Sequence, residues 1–414
     1  MTQLRANGLR RAAIVAPIRT PVGKFGGALS PLTAGDLGGV ILKALMERTK
    51  IDPARVDDVV FSQGYGSGEA PCIGHWSWLA AGLPIEVPGY QLDRRCGSGL
   101  QAVVNAAMMV QTGMSDVVVA GGCESMSNVE HYSTDIRKGI RAGNLTLHDR
   151  LTRGRVMSQP IDRFGVISGM IETAENLASD FGITREACDA YAARSHQRAA
   201  AAWAAGKFDD ELVPVSIPQK KGDPIVFDHD EGYRADATPE SLAKLRPLEA
   251  KMAGAVVTAG NASQQNDAAA ACLVVAEDKL EELGLEPIAW FHSYAAAGVD
   301  PSRMGYGPVP ATERLFARNG LTMADMDLIE LNEAFAPQVL ACLKGWGWTD
   351  NDPRHDILNV NGSGISLGHP IGATGGRILA NLTRELVRRG GKYGLETMCI
   401  GGGQGIAAVF ERAA

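Results

Sequence analysis

Short runs of β-branched residues alternate along the chain with longer, alanine-rich stretches of helical pattern. Residues 12–18, 56–61 and 116–120 predict strands, the last of which is expected to end at Gly121-Gly122. Between the last two, the segment Leu100–Gln111 is apolar on all sides, which is typical of a buried helix. This alternation predicts an α/β architecture in which helices cover a sheet.

A similar order of elements recurs near the other end of the chain. Residues 326–331 predict a strand that leads into Asn332, and residues 362–376 are expected to open a helix. Residues 395–400 then predict a strand that ends at the glycines 401–403. Three matches in the same order indicate a duplicated unit whose glycine turns can meet at one site.

The region between the halves, at about 127–252, has a different composition, with scattered charges and stretches broken by proline and glycine. It contains a predicted helix from Thr184 to about Ala205, with Thr184 as its N-cap. Residues 137–163 contain seven Lys and Arg residues but only two Asp residues. This excess of positive charge is typical of a solvated charged surface or, alternatively, of a phosphate-binding surface. We expect an N-terminal half at 1–282, which includes this inserted loop domain, and a C-terminal half at 283–414.

Composition narrows the class of protein. A chain of 414 residues that is 45% hydrophobic can bury a large core, and its net charge of −7 argues against general nucleic-acid binding. No apolar stretch approaches the roughly 18 residues that a membrane span requires. Seven widely spaced cysteines without a Cys-x-x-Cys pair suggest neither a disulfide framework nor a zinc site. A reducing cytoplasm is therefore the expected location.

Cys96 is the candidate nucleophile. It follows a predicted strand at 89–92 and precedes a helix that opens with glycine and serine. A thiol at a helix N-terminus feels the dipole, so its pKa is expected to fall from about 8.5 and to populate thiolate at neutral pH. The adjacent glycines would let a substrate carbonyl approach backbone donors. The alternative is a buried, inert cysteine.

Three further residues supply candidate acid, base and hydrogen-bonding groups. His369 lies between Gly368 and Pro370, so a rigid turn aims its ring, and an imidazole is the natural base for a thiol. Cys399 ends a predicted strand, where it could exchange a proton with a carbon acid. Asn332 could hold a water or donate to an oxyanion. The structural alternatives are a turn-fixing histidine, a core cysteine and a capping asparagine. Jointly, these residues predict acyl transfer through a thioester.

On these residues the chain resembles the thiolase family, the acetyl-CoA C-acyltransferases, from about residue 11 to 411. Seven segments occur in the order of that family: Arg19-Thr20-Pro21-Val22-Gly23, Cys96-Gly97-Ser98-Gly99-Leu100-Gln101-Ala102, Val119-Ala120-Gly121-Gly122, Val257-Thr258-Ala259-Gly260-Asn261-Ala262-Ser263, Asn332-Glu333-Ala334-Phe335, Gly368-His369-Pro370-Ile371-Gly372 and Cys399-Ile400-Gly401-Gly402-Gly403.

The resemblance implies a five-layer αβαβα fold built from two similar halves with an inserted loop domain. It implies that Cys96 is the acylated nucleophile, His369 its activating base and Cys399 the acid/base at the α-carbon of acetyl-CoA. Asn332 would hold the water that, with His369, forms one oxyanion hole. The backbone N–H groups of Cys96 and Gly401 would form the other.

The implied reaction is reversible cleavage of a 3-ketoacyl-CoA by CoA to acetyl-CoA and a shortened acyl-CoA, as in fatty acid metabolism. CoA would be a co-substrate, with no bound cofactor and no metal, and the protein would be a homodimer or homotetramer. The residues that match CoA-binding positions of the family are Met170, Arg234, Ser241, Leu245, Ala259, Ser263, Ala334 and Phe335.

Several departures from the family pattern leave the acyl preference open. Gln264-Gln265 stand where the family commonly has glycine and an apolar residue, Gly169 stands where short-chain relatives often carry histidine, and Glu249 lies near a position that is often aromatic. These departures are compatible with a roomier or more polar pocket.

Two other functions are possible rivals: a decarboxylating ketoacyl synthase, which has no need of a second thiol such as Cys399, and a non-catalytic acyl-CoA or lipid-binding protein. A nicotinamide oxidoreductase is disfavoured because Gly64-Tyr65-Gly66-Ser67-Gly68 lacks the spacing of a dinucleotide fingerprint.

Overall fold

The computed structural model describes residues 8–413. Within this range the strands are β1 (Ala12–Arg19), β2 (Gly23–Lys24), β3 (Asp58–Ser62), β4 (Gly89–Leu92), β5 (Val117–Ser125), β6 (His131–Tyr132), β7 (His148–Asp149), β8 (Val215–Ile217), β9 (Ile225–Phe227), β10 (Asn266–Ala276), β11 (Ala289–Gly298), β12 (Leu328–Leu331), β13 (Tyr393–Ile400) and β14 (Gln404–Arg412). The α-helices are α1 (Ala34–Thr49), α2 (Ile73–Ala80), α3 (Ser98–Gln111), α4 (Arg150–Val156), α5 (Ile161–Phe164), α6 (Met170–Phe181), α7 (Arg185–Ala204), α8 (Pro239–Leu242), α9 (Leu280–Leu283), α10 (Pro308–Asn319), α11 (Ala336–Gly345), α12 (Gly364–Leu367) and α13 (Ile371–Arg389).

The main sheet consists of two halves with the same strand pattern. In the first half the order is β4-β3-β5-β10-β1, with β3 parallel to both neighbours and the remaining pairs antiparallel. In the second half the order β12-β13-β14-β11 repeats this pattern, and a parallel bridge between Ile329 and Leu358 takes the place of β4. The halves join where β1 pairs with β11. The predicted duplication into two similar halves is therefore confirmed.

The middle layer of the five consists of helices. Val103 of α3 and Leu379 of α13 belong to one fully buried cluster. The same cluster contains Val118 of β5 and Met398 of β13, one strand from each half of the sheet. The two helices are therefore packed between the two halves of the sheet.

Further helices cover the outer faces of both halves. On the first half, Leu37 of α1 packs in a cluster with Val119 of β5. On the second half, Val339 of α11 packs in a cluster with Leu395 of β13. Because successive residues of a strand point to opposite faces, Val118 and Val119 contribute to different layers, which explains the continuously apolar strands.

The inserted loop domain lies between two neighbouring strands. β5 and β10 pair along nine residues although residues 126–265 separate them in sequence. The insertion carries the small ribbons β6-β7 and β8-β9 as well as helices α4 to α8. The predicted cap of α7 is confirmed, since the Thr184 side chain accepts a hydrogen bond from the backbone N–H of Ala187 at 3.2 Å. Among residues 8–413, none of the helices is both long and apolar enough to cross a bilayer.

The prediction that Gly121-Gly122 end a strand is wrong, because β5 continues through them to Ser125. A Cβ on Gly122 would collide with the Ser62 hydroxyl and with the carbonyl of Gly372. Gly122 therefore allows the first turn of α13 to approach the sheet closely, whereas a Cβ on Gly121 would collide with the Ala270 carbonyl of the neighbouring strand β10. Neither glycine forms a turn.

The second central helix opens within the predicted segment, residues 362–376, although not at its first residue. The long helix α13 begins only at Ile371, and residues 364–367 form the separate short helix α12. Gly368 interrupts the path between them with a φ of +97°, a value that favours glycine. This interruption turns His369 out of a regular helix.

Replacing Gly375 by Ala should destabilise the protein. Gly375 lies where α13 crosses α3, and a Cβ there would collide with backbone atoms of Leu100 and Gly99. Overpacking of this kind typically costs about 1–3 kcal/mol, so the thermal unfolding midpoint should fall. Gly39 in α1 is the matched control, because its Cβ would meet Ala80 at an ordinary 3.4 Å. Gly39→Ala should be neutral or stabilising; equal effects of the two substitutions would contradict the crossing argument.

Candidate active site

A network of short hydrogen bonds holds Cys96 at the start of α3. The Asp93 carboxylate accepts from the Arg95 backbone N–H at 2.6 Å, and the Ser98 hydroxyl donates to the Arg95 carbonyl at 2.6 Å. The Ser98 hydroxyl oxygen also accepts from the Arg94 N–H at 2.8 Å. Arg95 adopts a φ of +48° within this turn, which is rare for a residue with a side chain. The Cys96 sulfur is thus presented from a rigid turn.

The same turn contacts the end of β13 in the other half of the protein. Gly97 packs so tightly that a Cβ would lie 2.6 Å from Cδ1 of Ile400. The Arg94 guanidinium donates to the Gln404 side chain at 3.0 Å, so it is directed to β14. The backbone N–H groups of Gly401 and of Cys96 itself face the Cys96 sulfur, where each favours a negative charge.

The predicted lowering of the Cys96 pKa is wrong. Burial raises the pKa of the Cys96 thiol, and the opposing effects of the Gly401 N–H, Arg95 and the N–H of Cys96 do not offset it. Only 8% of the residue is exposed, and the charged form loses its hydration there. The resting nucleophile is therefore a thiol that needs a base.

His369 is the base that faces the same cavity. Its Nδ1 lies 2.7 Å from the Thr374 hydroxyl, which donates its own proton to the Pro370 carbonyl at 2.9 Å. Nδ1 must therefore carry the hydrogen, which leaves Nε2 with a lone pair. Nε2 is buried and makes no hydrogen bond within the described chain. Burial, then the charges of Arg377 and Arg155, lower the His369 pKa to about 3, so the imidazole is neutral at physiological pH.

Two buried residues that the sequence analysis missed position this segment. The Asn266 side-chain oxygen accepts from the His369 backbone N–H at 2.8 Å. The Glu124 carboxylate accepts from the N–H groups of Gly64 and Gly372, which ties the loop after β3 to the first turn of α13. Burial raises the Glu124 pKa to about 7. Asn266 directly follows the departing pair Gln264-Gln265, and it stands where the family pattern itself continues with asparagine.

Cys399 and Asn332 are both buried, and neither side chain lines the cavity. Cys399 is fully buried, and burial followed by the charge of neighbouring Cys96 raises its pKa well above the ordinary value. Neither polar atom of the Asn332 side chain has a hydrogen-bond partner within the described chain. Gly364 lies so close that a Cβ there would be 2.8 Å from Oδ1 of Asn332. The Asn332 amide is therefore available to a water or a ligand.

A cavity of about 370 Å³ opens onto Cys96 and His369. Its wall includes seven of the predicted site residues: Cys96, Met170, Ser263, Ala334, Phe335, His369 and Gly401. This volume is within the range expected for a small-molecule site. Among residues 8–413, no cluster of three or more His, Cys, Asp or Glu side chains is arranged to hold a metal ion.

The other four predicted CoA contacts, Arg234, Ser241, Leu245 and Ala259, do not line the cavity. Arg234, Ser241 and Ala259 are exposed, and Leu245 packs under Gly260, whose Cβ would lie 2.5 Å from Cδ1 of Leu245. They stay predictions.

Comparisons with known proteins agree with this geometry. Models of the thiolase N-terminal and C-terminal domains match residues 12–278 and 285–412. An acetyl-CoA acetyltransferase of Chromobacterium violaceum is 47% identical, covering 97% of this chain and 99% of the relative. A beta-ketoadipyl-CoA thiolase of Acinetobacter baylyi is 43% identical, covering 98% of this chain and 100% of the relative. The crystal structure of human mitochondrial 3-ketoacyl-CoA thiolase in complex with CoA superposes with a TM-score of 0.89 at 39% identity, covering 98% of both chains.

The protein is thus an acyltransferase with a five-layer αβαβα fold. The chain belongs to the thiolase family, whose members use CoA as a substrate. The predicted family, fold and enzyme class are confirmed.

Titration of Cys96 should show a thiol at neutral pH. Because burial raises its pKa above the ordinary value of a cysteine thiol, thiolate absorbance in the ultraviolet should appear only well above neutral pH. The measurement is the difference in absorbance between the wild-type protein and Cys96→Ser across pH, without substrate. A thiolate signal already present at neutral pH would contradict the dominance of burial.

Proposed function

We propose that the protein catalyses reversible, CoA-dependent cleavage of 3-ketoacyl-CoA through an acyl-Cys96 intermediate. The observation that carries this proposal is the convergence of the Cys96 sulfur and two backbone N–H groups, its own and that of Gly401, on a cavity that also exposes His369. A thiol, a base and paired oxyanion donors are what acyl transfer to sulfur requires.

In the first half-reaction, Nε2 of His369 accepts the thiol proton as the Cys96 sulfur attacks the 3-keto carbon. The N–H groups of Cys96 and Gly401 stabilise the resulting oxyanion. When the bond between C2 and C3 breaks, Cys399 donates its proton to C2, which releases acetyl-CoA. Asn332 holds a water that, with protonated His369, stabilises negative charge on the departing thioester oxygen.

The second half-reaction restores every group. The thiol of CoA attacks the acyl-Cys96 carbonyl and gives its proton to the Cys399 thiolate. The Cys96 sulfur leaves as the shortened acyl-CoA forms, and His369 returns the proton to it. The burial of Cys399 suits this role, because a raised pKa makes its thiolate a stronger base toward a carbon acid.

The remaining features of the proposal concern the setting of the enzyme. CoA is a co-substrate, and no metal or prosthetic group takes part in the steps above. We expect a cytoplasmic homodimer or homotetramer that acts in fatty acid or related acyl-CoA metabolism. The named reactions of the relatives, an acetyltransferase and a beta-ketoadipyl-CoA thiolase, support this range of acyl-CoA substrates.

Substitution of the two thiols should separate the steps. Cys96→Ser should retain no labelled acetyl group after incubation with acetyl-CoA, whereas Cys399→Ala should be acetylated yet form no acetoacetyl-CoA. Both outcomes follow from the assigned roles, and condensation should fall by at least about 10²-fold in Cys399→Ala. Cys272→Ala, which removes another fully buried core thiol, is the matched control and should keep both steps. A normal rate of condensation in Cys399→Ala would contradict the proposed role of Cys399 in proton transfer.

Arg234→Ala should mainly raise the KM for CoA. Arg234 is exposed, two residues after Gly232, whose carbonyl accepts from cavity-lining Gln264 at 3.1 Å. A phosphate contact at this exposed position would weaken with salt, so the effect should be larger at low ionic strength. Arg318→Ala, at an exposed position of α10, serves as the control. An unchanged KM for CoA in Arg234→Ala would remove the phosphate contact from the proposal.

A further inference from the structure

Arg155 is a cation in the cavity wall that the reaction steps above do not use. It lies on α4 of the inserted domain, is half-buried, and lines the same cavity as Cys96 and His369. Within residues 8–413, no carboxylate forms an ion pair with it, although Arg150 of the same helix pairs with Glu130 at 3.1 Å. A cavity-facing guanidinium without a protein anion is a candidate ligand-binding group.

Neutral groups hold Arg155 in place without cancelling its charge. The Gln265 side-chain oxygen, in the amide orientation that satisfies both of its polar groups, accepts from Nη2 at 3.1 Å and from Nη1 at 3.3 Å. Tyr65, whose hydroxyl feels the charge of this guanidinium, lines the same cavity. Arg155 is therefore oriented by side chains that leave its charge available to a ligand.

Arg155 lines the same cavity as Cys96 and His369, and its charge adds to the lowering of the His369 pKa. The pantetheine arm of CoA separates its sulfur from its phosphates. A cation in the wall of the cavity that holds Cys96 is therefore badly placed for those phosphates when the thioester lies at Cys96. The ligand group that remains for Arg155 is the acyl chain itself.

The cavity has open space beside Arg155 and an excess of positive charge in its wall. A Cβ on Gly169 would have only the Cβ of Arg155 within 4.0 Å, so no side chain fills the space beside the arginine. Two arginines, Arg95 and Arg155, line the cavity against one carboxylate, Glu249. This excess of positive charge favours an anionic group on the acyl chain.

We propose that Arg155 binds a carboxylate at the far end of the acyl chain, so that the preferred substrates are CoA thioesters of 3-oxo dicarboxylic acids. This inference rests on the proposed thiolytic function. A guanidinium binds a carboxylate through two parallel N–H···O bonds, which gives both affinity and orientation. An uncharged acyl chain of equal length would leave the cation without a partner in a partly desolvated wall.

The test compares two esters of equal chain length, 3-oxohexanedioyl-CoA and 3-oxohexanoyl-CoA, in thiolysis by the full-length enzyme. The wild type should cleave the carboxylated ester with the higher kcat/KM. In Arg155→Gln, the ratio of the two kcat/KM values should fall by about 10- to 100-fold, which corresponds to the loss of a hydrogen-bonded charge pair. Arg155→Lys keeps the charge without the paired donors and should give an intermediate ratio.

Arg153→Gln is the matched control, because Arg153 belongs to the same helix but does not line the cavity. It should keep the wild-type ratio. An unchanged ratio in Arg155→Gln, a wild-type preference for the uncharged ester, or an equal rise in the KM for CoA with both esters would overturn the inference. Cleavage of the uncharged ester alone would leave the proposed function standing, whereas cleavage of neither ester would remove both.

Discussion

The contact between the first turns of α3 and α13 is the constraint on which the site depends. Both helices are buried between the halves of the sheet, and a Cβ on Gly99 would lie 2.9 Å from the backbone of Gly375. Because Cys96 immediately precedes one helix and His369 the other, this contact fixes the thiol relative to the imidazole. A side chain at the crossing would move the two halves apart and would separate the two groups. The duplicated fold therefore produces an active site by bringing two equivalent helix starts together.

Burial at this contact decides the protonation states. Loss of hydration raises the pKa of Cys96 and lowers that of His369, so both groups rest in their neutral forms. The hydrogen bond from Nδ1 to Thr374 leaves Nε2 as the proton acceptor. The N–H groups around the Cys96 sulfur then stabilise negative charge as it develops, although they do not populate thiolate in the resting enzyme.

Strands and site positions could be predicted from the sequence where a motif and a local pattern indicate the same element. Contacts between distant segments could not be predicted. The strands around Val118 and Met398 follow from apolar runs, and the positions of Cys96 and His369 follow from glycine-rich turns. Asn266 could not be assigned, because its partner His369 lies 103 residues away. The predicted direction of the Cys96 pKa shift was wrong. The helix start that would lower the pKa is visible in the sequence, whereas the burial that raises it depends on how the layers assemble.

Gly122 is a second position at which a contact between distant segments could not be predicted from the sequence. In a sequence, a glycine pair after an apolar run predicts a turn, yet here the strand continues and the missing side chain makes room for α13. A glycine is required at this position, but it is required for close packing between segments and not for a turn.

The fold assigns chemistry and selectivity to different parts of the chain. The two duplicated halves supply Cys96, His369 and Cys399, together with the bonds that orient them. The inserted domain supplies Arg155 and other parts of the cavity wall, and it enters and leaves the sheet between the paired strands β5 and β10. Because those strands pair directly with each other, the insertion can change in sequence without shifting the register that positions the thiols. Selection for a new acyl group can therefore act on the insertion while the reacting groups keep their geometry.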